Sequence, residues 1–277
     1  MNQKLLALYG LKYNPFTPEV PNEALYVSPK LENFFWRIEN NLIRDGGFAL
    51  ISGDPGTGKS VALRLLASKL LQVRDAQVVV ITHPSAKLAD FYRELGEIFG
   101  VTLKLHNRWE GFKSLRERWF AHMQNTLLRP VLLIDEAQEI PNNVLNELRL
   151  MASMEFDSRI LLSVILSGDQ RLNDKLRRDE LAPLGSRIQI RLNTEYASPE
   201  ELSDALQHLI TNSGNSSLMS KALVKTLCEH AMGNYRALCN MAGELLATAT
   251  RQELTQLDEK LYFECFSPPT PSKRKRS

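Results

Sequence analysis

The segment Gly53–Ser60 reads GDPGTGKS, a full match to the pattern GxxxxGK[ST]. In this pattern glycines let successive backbone N–H groups turn towards phosphate oxygens, the lysine contacts the β and γ phosphates, and the final hydroxyl is a ligand for Mg²⁺. The sequence therefore predicts a site for a nucleoside triphosphate with Mg²⁺. The residues expected to hold it are Gly53, Asp54, Pro55, Gly56, Thr57, Gly58, Lys59, Ser60 and Val61.

A second motif, VLLIDEAQ at Val131–Gln138, places two acids directly after four apolar residues. Ligands of α/β proteins bind at the carboxyl ends of such buried strands. We expect Asp135 to hold Mg²⁺, directly or through water, and Glu136 to polarise the water that attacks the γ-phosphate. Acids at strand ends also cap helices, but the phosphate-binding loop (P-loop) at Gly53–Ser60 in the same chain favours the catalytic interpretation.

The next apolar run ends in LSGDQRL, which predicts Ser167, Asp169 and Gln170 beside the γ-phosphate. One of these side chains could sense phosphate or orient water, and Asp169 and Gln170 are favoured. The alternative is an ordinary turn at the exit of a strand.

Three arginines, Arg177, Arg178 and Arg187, precede the last predicted strand. An arginine inserted from a neighbouring subunit stabilises the charge on a transferring phosphoryl group, and we select Arg187 for this role. Arg236 lies in the first turn of a later helix that could fold over the phosphates. The alternative for Arg187 is a surface arginine that is merely solvated or paired.

The elements that must position these residues alternate between strand and helix. Apolar runs predict strands at 48–51, 77–82, 130–134, 160–166 and 188–192. Apolar residues at helical spacing predict helices at 31–44, 61–71, 86–99, 112–128 and 142–153, after a loop-rich start over 1–30. This alternation predicts an α/β fold with a parallel five-stranded sheet flanked by helices.

After residue 197 the pattern contains helices alone, and the first begins at a Ser198-x-x-Glu201 capping box. We expect a nucleotide-binding α/β domain with an N-terminal extension at 1–196 and a small helical lid domain at 197–266. Residues 267–277 are rich in proline, serine and basic residues, so we expect a disordered tail that serves as an electrostatic arm or is merely solvated.

Composition restricts the class of protein further. The formal charge is +2, and four basic residues at 273–276 lie in the tail, so the rest of the chain carries −2. DNA contacts in the folded part would therefore need a local basic strip. No run is long and apolar enough for a membrane span and no signal peptide is recognisable, so we expect a cytoplasmic protein. The three cysteines have no metal spacing and are expected to be reduced packing residues.

The motifs together resemble the AAA+ ATPases of the ExeA type and the related transposition regulators TnsC, TniB, IstB and MuB. The resemblance covers about residues 5 to 250 and rests on YGLKYNPF, YVSP, GDPGTGKS, LLIDEAQEIPNNVLNELRLM, SGDQRL, LGSRIQIRL and GNYRALCN. It implies ATP as the nucleotide, slow regulatory hydrolysis, Lys59 and Ser60 as Walker A, and Asp135 and Glu136 as Walker B. It also implies Asp169 or a neighbour as sensor 1, Arg187 as the arginine finger and Arg236 as sensor 2.

ExeA-type proteins continue beyond the ATPase part, whereas this sequence stops at Ser277, which favours the transposition regulators. Those relatives form ATP-bound rings or filaments on duplex DNA and recruit a transposase, with possible help from a target-selection adaptor. They bind the DNA backbone through basic residues after the second strand. The matching residues here are Lys87, Lys104, Arg108 and Lys113.

Three functions remain open at this point. The first is an ATP-dependent DNA-binding regulator of transposition without a membrane partner. The second is a cytosolic secretion or envelope-assembly ATPase of the ExeA type that acts with a membrane partner. The third is a non-hydrolysing module in which nucleotide only stabilises the fold, although Lys59, Asp135 and Glu136 together argue against it.

Overall fold

The apolar runs form one parallel sheet in the computed structural model, which describes residues 2–74, 76–81, 84–102, 108–126, 128–155 and 158–266. Numbered along the chain, its strands are β1 Gly47–Gly53, β2 Ala76–Ile81, β3 Arg129–Ile134, β4 Ser163–Gly168 and β5 Ile188–Thr194. The order across the sheet is β2-β3-β4-β1-β5, and all neighbours run parallel. The predicted fold class is therefore confirmed.

Burial along each strand follows from its place in this order. Every residue of β1 and β4 is buried, because these strands have a neighbour on each side and helices on both faces. In β5 buried and exposed residues alternate from Ile188 to Asn193, as expected for an edge strand with one covered face. The longest apolar runs of the sequence are thus the central strands of the sheet.

The strands belong to a unit that spans Val27–Glu195. Its helices are Pro29–Arg37, Lys59–Leu70, Leu88–Phe99, Arg108–Thr126, Asn142–Met151, Gln170–Arg177 and Ala182–Gly185. The first of them continues through a π-helical turn, Ile38–Leu42, to Asp45. Fully buried Leu115, Trp119 and Leu132 lie in the main core of this unit.

One predicted strand is divided in the structure. The sequence predicts a single strand over 160–166, but β4 begins only at Ser163. Arg159–Ile160 instead pairs antiparallel with Ser153–Met154, and the N–H of Leu161 donates to the carbonyl of Ala152 at 2.7 Å. Continuous apolar character cannot mark this break, because both parts of the run are covered.

The second unit contains the described residues of Met1–Tyr26 and Tyr196–Ser277. Its helices are Asn2–Tyr9, Pro199–Ser213, Lys221–Ala231, Tyr235–Gln252 and Glu259–Phe266. The predicted capping box is present, since Ser198 and Glu201 exchange both side-chain to backbone hydrogen bonds. The free cysteines also lie here, and burial raises the pKa of the Cys228 thiol to about 11, which suits a packing residue.

The N-terminal segment differs from its prediction in two ways. The sequence predicts a loop-rich extension of the α/β domain, but the segment forms the helix Asn2–Tyr9 and groups with the helical unit. Leu5, Tyr9 and Leu11 are buried in the apolar core of that unit. Leu5 and Tyr9 are four residues apart, so they lie on one face of this short helix. Packing of that face against the core stabilises a helix that is too short to be stable by itself. The predicted tail at 267–277 lies outside the described residues.

Within the described ranges, no helix has both the length and the apolar character needed to cross a bilayer.

A buried carboxylate joins three helices of the α/β unit. Glu147 is 1% exposed and accepts hydrogen bonds from the Tyr92 hydroxyl and from both Nε and Nη2 of Arg108. Burial, together with the bond to Glu147, raises the pKa of Tyr92 well above its usual value. A charge removed from water must be paired, so this contact fixes the start of the helix Arg108–Thr126 against its neighbours.

Replacing Glu147 by glutamine removes the charge that Arg108 and the Tyr92 hydroxyl share. We expect the free energy of unfolding to fall by about 2 kcal/mol, the range for lost hydrogen bonds to a charged group. Urea denaturation of the purified protein measures this change. Glu117→Gln is the matched control, because its exposed pair with Lys113 should contribute less than about 0.5 kcal/mol. Equal effects of the two substitutions would contradict the structural role of Glu147.

Candidate nucleotide-binding site

The loop between β1 and the following helix has the backbone of a phosphate cradle. β1 ends at Gly53 and the helix begins at Lys59. Gly56 and Gly58 have φ angles of +84° and +95°, a left-handed conformation that glycine adopts without strain. Lys59 is 7% exposed and its Nζ donates to the carbonyl oxygen of Asp54 at 3.0 Å, so the amine is held at the loop. These residues fit a triphosphate.

The end of β5 closes over this loop from the side. The Thr57 and Thr194 hydroxyl oxygens are 2.7 Å apart, and each is also within hydrogen-bonding distance of a carbonyl, of Asp54 and of Ser52 respectively. A Cβ on Gly53 would lie 2.1 Å from the Thr194 Oγ1. Glycine at 53 is therefore required by the close approach of the neighbouring strand.

The two predicted magnesium ligands differ in exposure. Ser60 is exposed in the first helical turn, and Asp135 is half-buried at the end of β3. The Asp135 Oδ1 accepts from the Ser167 hydroxyl at 2.8 Å and from the Glu136 N–H at 3.0 Å. A hydroxyl and an oriented carboxylate are oxygen donors of the kind that Mg²⁺ prefers, so the side chains fit this ion.

Glu136 is held by a buried glutamine. The Gln138 side chain is 4% exposed, and its Nε2 donates to the Glu136 Oε2 while its Oε1 accepts from the N–H of Asp169 at 3.2 Å. Lys175 donates to the carbonyl oxygens of Gln138 at 2.6 Å and Ile140 at 2.9 Å. The loop after β3 is therefore bonded to the segment after β4 at several points.

The two favoured side chains after β4 have other contacts. Asp169 caps the helix Gln170–Arg177 by accepting from the Arg171 N–H, and it also pairs with the Arg171 guanidinium. Burial raises the pKa of Asp169, but the bonds from Arg171 and the nearby charge of Lys59 outweigh it and hold the pKa low. Gln170 is exposed and accepts from Asn173. Of the predicted trio, Ser167 is the one bonded to Asp135.

Arg187 lies directly before β5, where its Nη1 donates to the Pro183 carbonyl at 2.6 Å. The other two candidates, Arg177 and Arg178, are exposed, and Arg177 is 3.9 Å from Asp174. The register pairs Phe48 with Ile188, so Arg187 is at the amino edge of the sheet and the P-loop is at the opposite, carboxyl edge.

A cavity of about 610 Å³ lies beside the helix Gln170–Arg177. Its wall includes Ser52, Gln170, Asn173, Arg177, Arg191 and Asn193. The structure thus brings Gln170 and Arg177 to one basic cavity, and it does not place Arg187 in that wall.

Arg236 is exposed in the first turn of the helix Tyr235–Gln252 of the helical unit. Asn234 caps this helix by accepting from the Ala237 N–H at 3.0 Å. Gly233, with φ at +81°, is needed before the cap because a Cβ there would lie 2.7 Å from the Tyr196 side chain. The contact of Arg236 with phosphates stays a prediction.

Two predicted DNA contacts are available to a partner. Lys87 is exposed directly before the helix Leu88–Phe99, and Lys113 is exposed with an ordinary surface pair to Glu117 at 3.7 Å. Lys104 lies outside the described residues.

Arg108 has a contact within its own subunit. Its guanidinium neutralises the buried Glu147, although the Arg108 side chain is 63% exposed. A contact of Arg108 with DNA phosphate stays a prediction. Trp109, the next residue, is 71% exposed and stacked on Phe112, with ring centroids 5.8 Å apart.

Sequence reasoning did not select Gln138 or Thr194. Gln138 lies within the VLLIDEAQ motif, but its role depends on β4, which the spacing along the chain does not bring near. Thr194 lies two residues beyond the predicted end of its strand, because the polar Asn193-Thr194 pair does not continue the apolar alternation. Strand register is the information that both cases lacked.

The part of the sequence that contains the P-loop and the Asp135-Glu136 pair matches a known protein family. Residues 43–176 match the family model described as AAA domain. Over 186 residues, 66% of this chain, the sequence is 31% identical to general secretion pathway protein A of Aeromonas hydrophila, of which the match covers 33%. The chain thus spans about a third of the length of this curated relative.

Solved structures are similar in fold at low identity. Cdc6p from Pyrobaculum aerophilum gives a TM-score of 0.68 at 15% identity over 88% of this chain and 67% of that chain. Drosophila ORC bound to DNA gives 0.69 at 17% over 94% and 64%. The RuvB Holliday junction branch migration motor of Thermotoga maritima gives 0.58 at 16% over 90% and 72%.

The fold is that of the AAA+ P-loop proteins, and the P-loop with Asp135 and Glu136 supports an AAA+ ATPase. The sequence likeness is to general secretion pathway protein A of Aeromonas hydrophila. None of the relatives named above is described as a transposition regulator, so that part of the resemblance stays a prediction.

Replacing Thr194 by valine keeps the volume at the end of β5 and removes the hydroxyl beside Thr57. We expect ATP affinity to fall about fivefold, the equivalent of one ordinary hydrogen bond of about 1 kcal/mol. Titration with a fluorescent ATP analogue measures the dissociation constant. Thr194→Ser retains the hydroxyl and should bind like the unmodified protein. Equal loss of affinity in both variants would contradict a role for the Thr57–Thr194 hydroxyl contact in nucleotide binding.

Proposed function

We propose that this chain is an ATP-dependent, DNA-binding regulator of transposition. In the ATP state it assembles on duplex DNA and recruits or activates a transposase, and it disassembles after slow hydrolysis. The observation that carries the assembly step is the separation of Arg187 from the P-loop by the length of the sheet.

This separation supports a role for Arg187 in the site of a neighbouring subunit. β1 has seven residues, Gly47–Gly53, and a strand of that length spans roughly 20 Å. Arg187 at one end of the sheet is therefore too far from the P-loop of its own subunit to contact the phosphates there. A head-to-tail neighbour can bring its Arg187 to this site, and such heterologous interfaces generate rings or helical filaments.

The remaining roles fall to residues of one subunit. Lys59 and the loop amides bind the phosphates, and Ser60 with Asp135 holds Mg²⁺, which supplies charge neutralisation when bound. Glu136 orients the attacking water and accepts its proton. Arg236 binds phosphate from the helical unit as sensor 2. Because the nucleotide joins subunits, its hydrolysis weakens the assembly.

The DNA part of the proposal has two supports. The structural relatives include Drosophila ORC bound to DNA and an Aeropyrum pernix ORC1 protein in complex with DNA. Lys87 and Lys113 are exposed for phosphate contacts that tolerate any sequence. The transposition part rests on the resemblance of the motifs to the transposition regulators TnsC, TniB, IstB and MuB.

A Glu136→Gln variant should bind ATP but hydrolyse it at least about 100-fold more slowly, because the general base is lost. With ATP present, its assembly on duplex DNA should persist, whereas that of the unmodified protein should decay. Fluorescence anisotropy of labelled DNA against time measures this. Glu139→Gln, an exposed acid nearby in the chain, is the control and should behave like the unmodified protein.

The same assay tests the proposal as a whole. DNA binding by the unmodified protein should require ATP or a non-hydrolysable ATP analogue, and it should weaken as salt rises. Binding that is indifferent to nucleotide would overturn the regulator function.

Mixing two inactive variants tests the neighbour role of Arg187. Arg187→Ala keeps Glu136, and Glu136→Gln keeps Arg187, so a head-to-tail contact between them restores one complete site. An equal mixture should regain about a quarter of the unmodified turnover, because one interface in four combines both intact halves in a heterologous assembly. Phosphate release measures turnover. A mixture as inactive as its components would place the arginine elsewhere.

A second candidate function is a secretion ATPase that acts with a membrane partner. It is favoured by the identity to general secretion pathway protein A. This function predicts ATP hydrolysis without ATP-dependent DNA binding, so the anisotropy assay separates the two.

A further inference from the structure

We propose that Gln138 is the positioning residue of the hydrolysis step, which holds the Glu136 carboxylate at a set place relative to the end of β4. The inference rests on the proposed role of Glu136 and adds a residue that acts through it.

The orientation of the Gln138 amide is determined by its surroundings. The side chain is buried, so both ends of the amide must be hydrogen-bonded. The N–H of Asp169 donates to one end, which must therefore be the carbonyl Oε1. The NH₂ group is then directed at the Glu136 side chain and donates to its negatively charged carboxylate. The same side chain thus joins a backbone amide to the general base.

Glu136 needs such a partner. Its side chain is exposed and its backbone has φ at +51°, a left-handed conformation that is uncommon outside glycine. The Asp135 carboxylate supports this backbone by accepting from the Glu136 N–H. The Gln138 amide restricts the side chain itself, which would otherwise adopt several rotamers and place its oxygens at several positions.

The end of β4 is shaped to receive the amide. A Cβ on Gly168 would lie 2.6 Å from the Gln138 Oε1 and 2.8 Å from the Leu172 Cδ2, so glycine leaves the space that the amide occupies. Ser167, one residue earlier, binds Asp135. Both acids of the site are therefore tied to the same three residues of β4 and its exit, Asp135 through a hydroxyl and Glu136 through the Gln138 amide.

Bonding to one strand end has a mechanistic consequence. A shift of the β4 exit moves the Asp169 N–H, and the Gln138 amide carries that shift to the carboxylate that orients water. The step that this controls is the chemical one, because none of these bonds involves the P-loop residues that bind phosphate. Loss of the amide should therefore lower kcat and leave KM for ATP nearly unchanged.

The test compares Gln138→Met, which fills the buried space without donors or acceptors, with two other variants. Lys175→Met removes bonds to the backbone of the same loop but leaves the amide in place, and so controls for loop order. The double variant Glu136→Gln with Gln138→Met shows whether Gln138 acts through Glu136. Steady-state hydrolysis, ATP affinity and thermal unfolding are measured for all of them.

We expect Gln138→Met to lower kcat about tenfold or more, with KM and ATP affinity changed less than about twofold. In the Glu136→Gln background it should add no further loss of turnover. The inference is overturned if Gln138→Met keeps kcat, if Lys175→Met lowers kcat equally, or if the two losses multiply. If Glu136→Gln itself retains turnover, the proposed function fails first and by a separate measurement.

Discussion

The backbone hydrogen bonds between parallel strands determine which side chains meet at the candidate site. The register pairs Gly53 with Thr194 and Ile134 with Leu166, so the exits of β1, β3, β4 and β5 are aligned at one edge. This alignment brings together the P-loop, Asp135, Glu136 and the Ser167 hydroxyl that donates to Asp135. A shift of the register by one residue would turn Asp135 to the other face of the sheet, away from the P-loop.

The same register separates the two halves of the proposed catalytic site. The residues of the α/β unit that we propose to bind phosphate and water lie at the carboxyl edge, while Arg187 lies at the amino edge. A subunit built in this way holds the base and the arginine at opposite ends of one rigid layer. In the proposed mechanism assembly is then a condition of chemistry, and the nucleotide is a signal between subunits as well as a substrate.

Much of this could be predicted from the sequence, because the P-loop and the Asp135-Glu136 pair are local patterns whose chemistry depends on spacing along the chain. Contacts between distant segments could not. Gln138 contacts Asp169 only because β3 and β4 are neighbours in the sheet, and Arg108 contacts Glu147 only because their helices pack together. For that reason the sequence could not show that a basic residue predicted to contact DNA is paired with a buried carboxylate. Periodicity also missed the short N-terminal helix, whose stability comes from tertiary contact.

The first glycine of the P-loop illustrates how one motif can combine unrelated demands. Gly56 and Gly58 are required by left-handed backbone, whereas Gly53 is required because Thr194 of the adjacent strand leaves no room for a methyl group. The pattern therefore extends, in physical terms, to a position 141 residues away in the chain. The Thr194 backbone carbonyl oxygen would itself lie 2.2 Å from a Cβ at position 53, so a smaller side chain at position 194 would not make room. Among relatives with this backbone, position 53 should therefore stay glycine whatever residue stands at position 194.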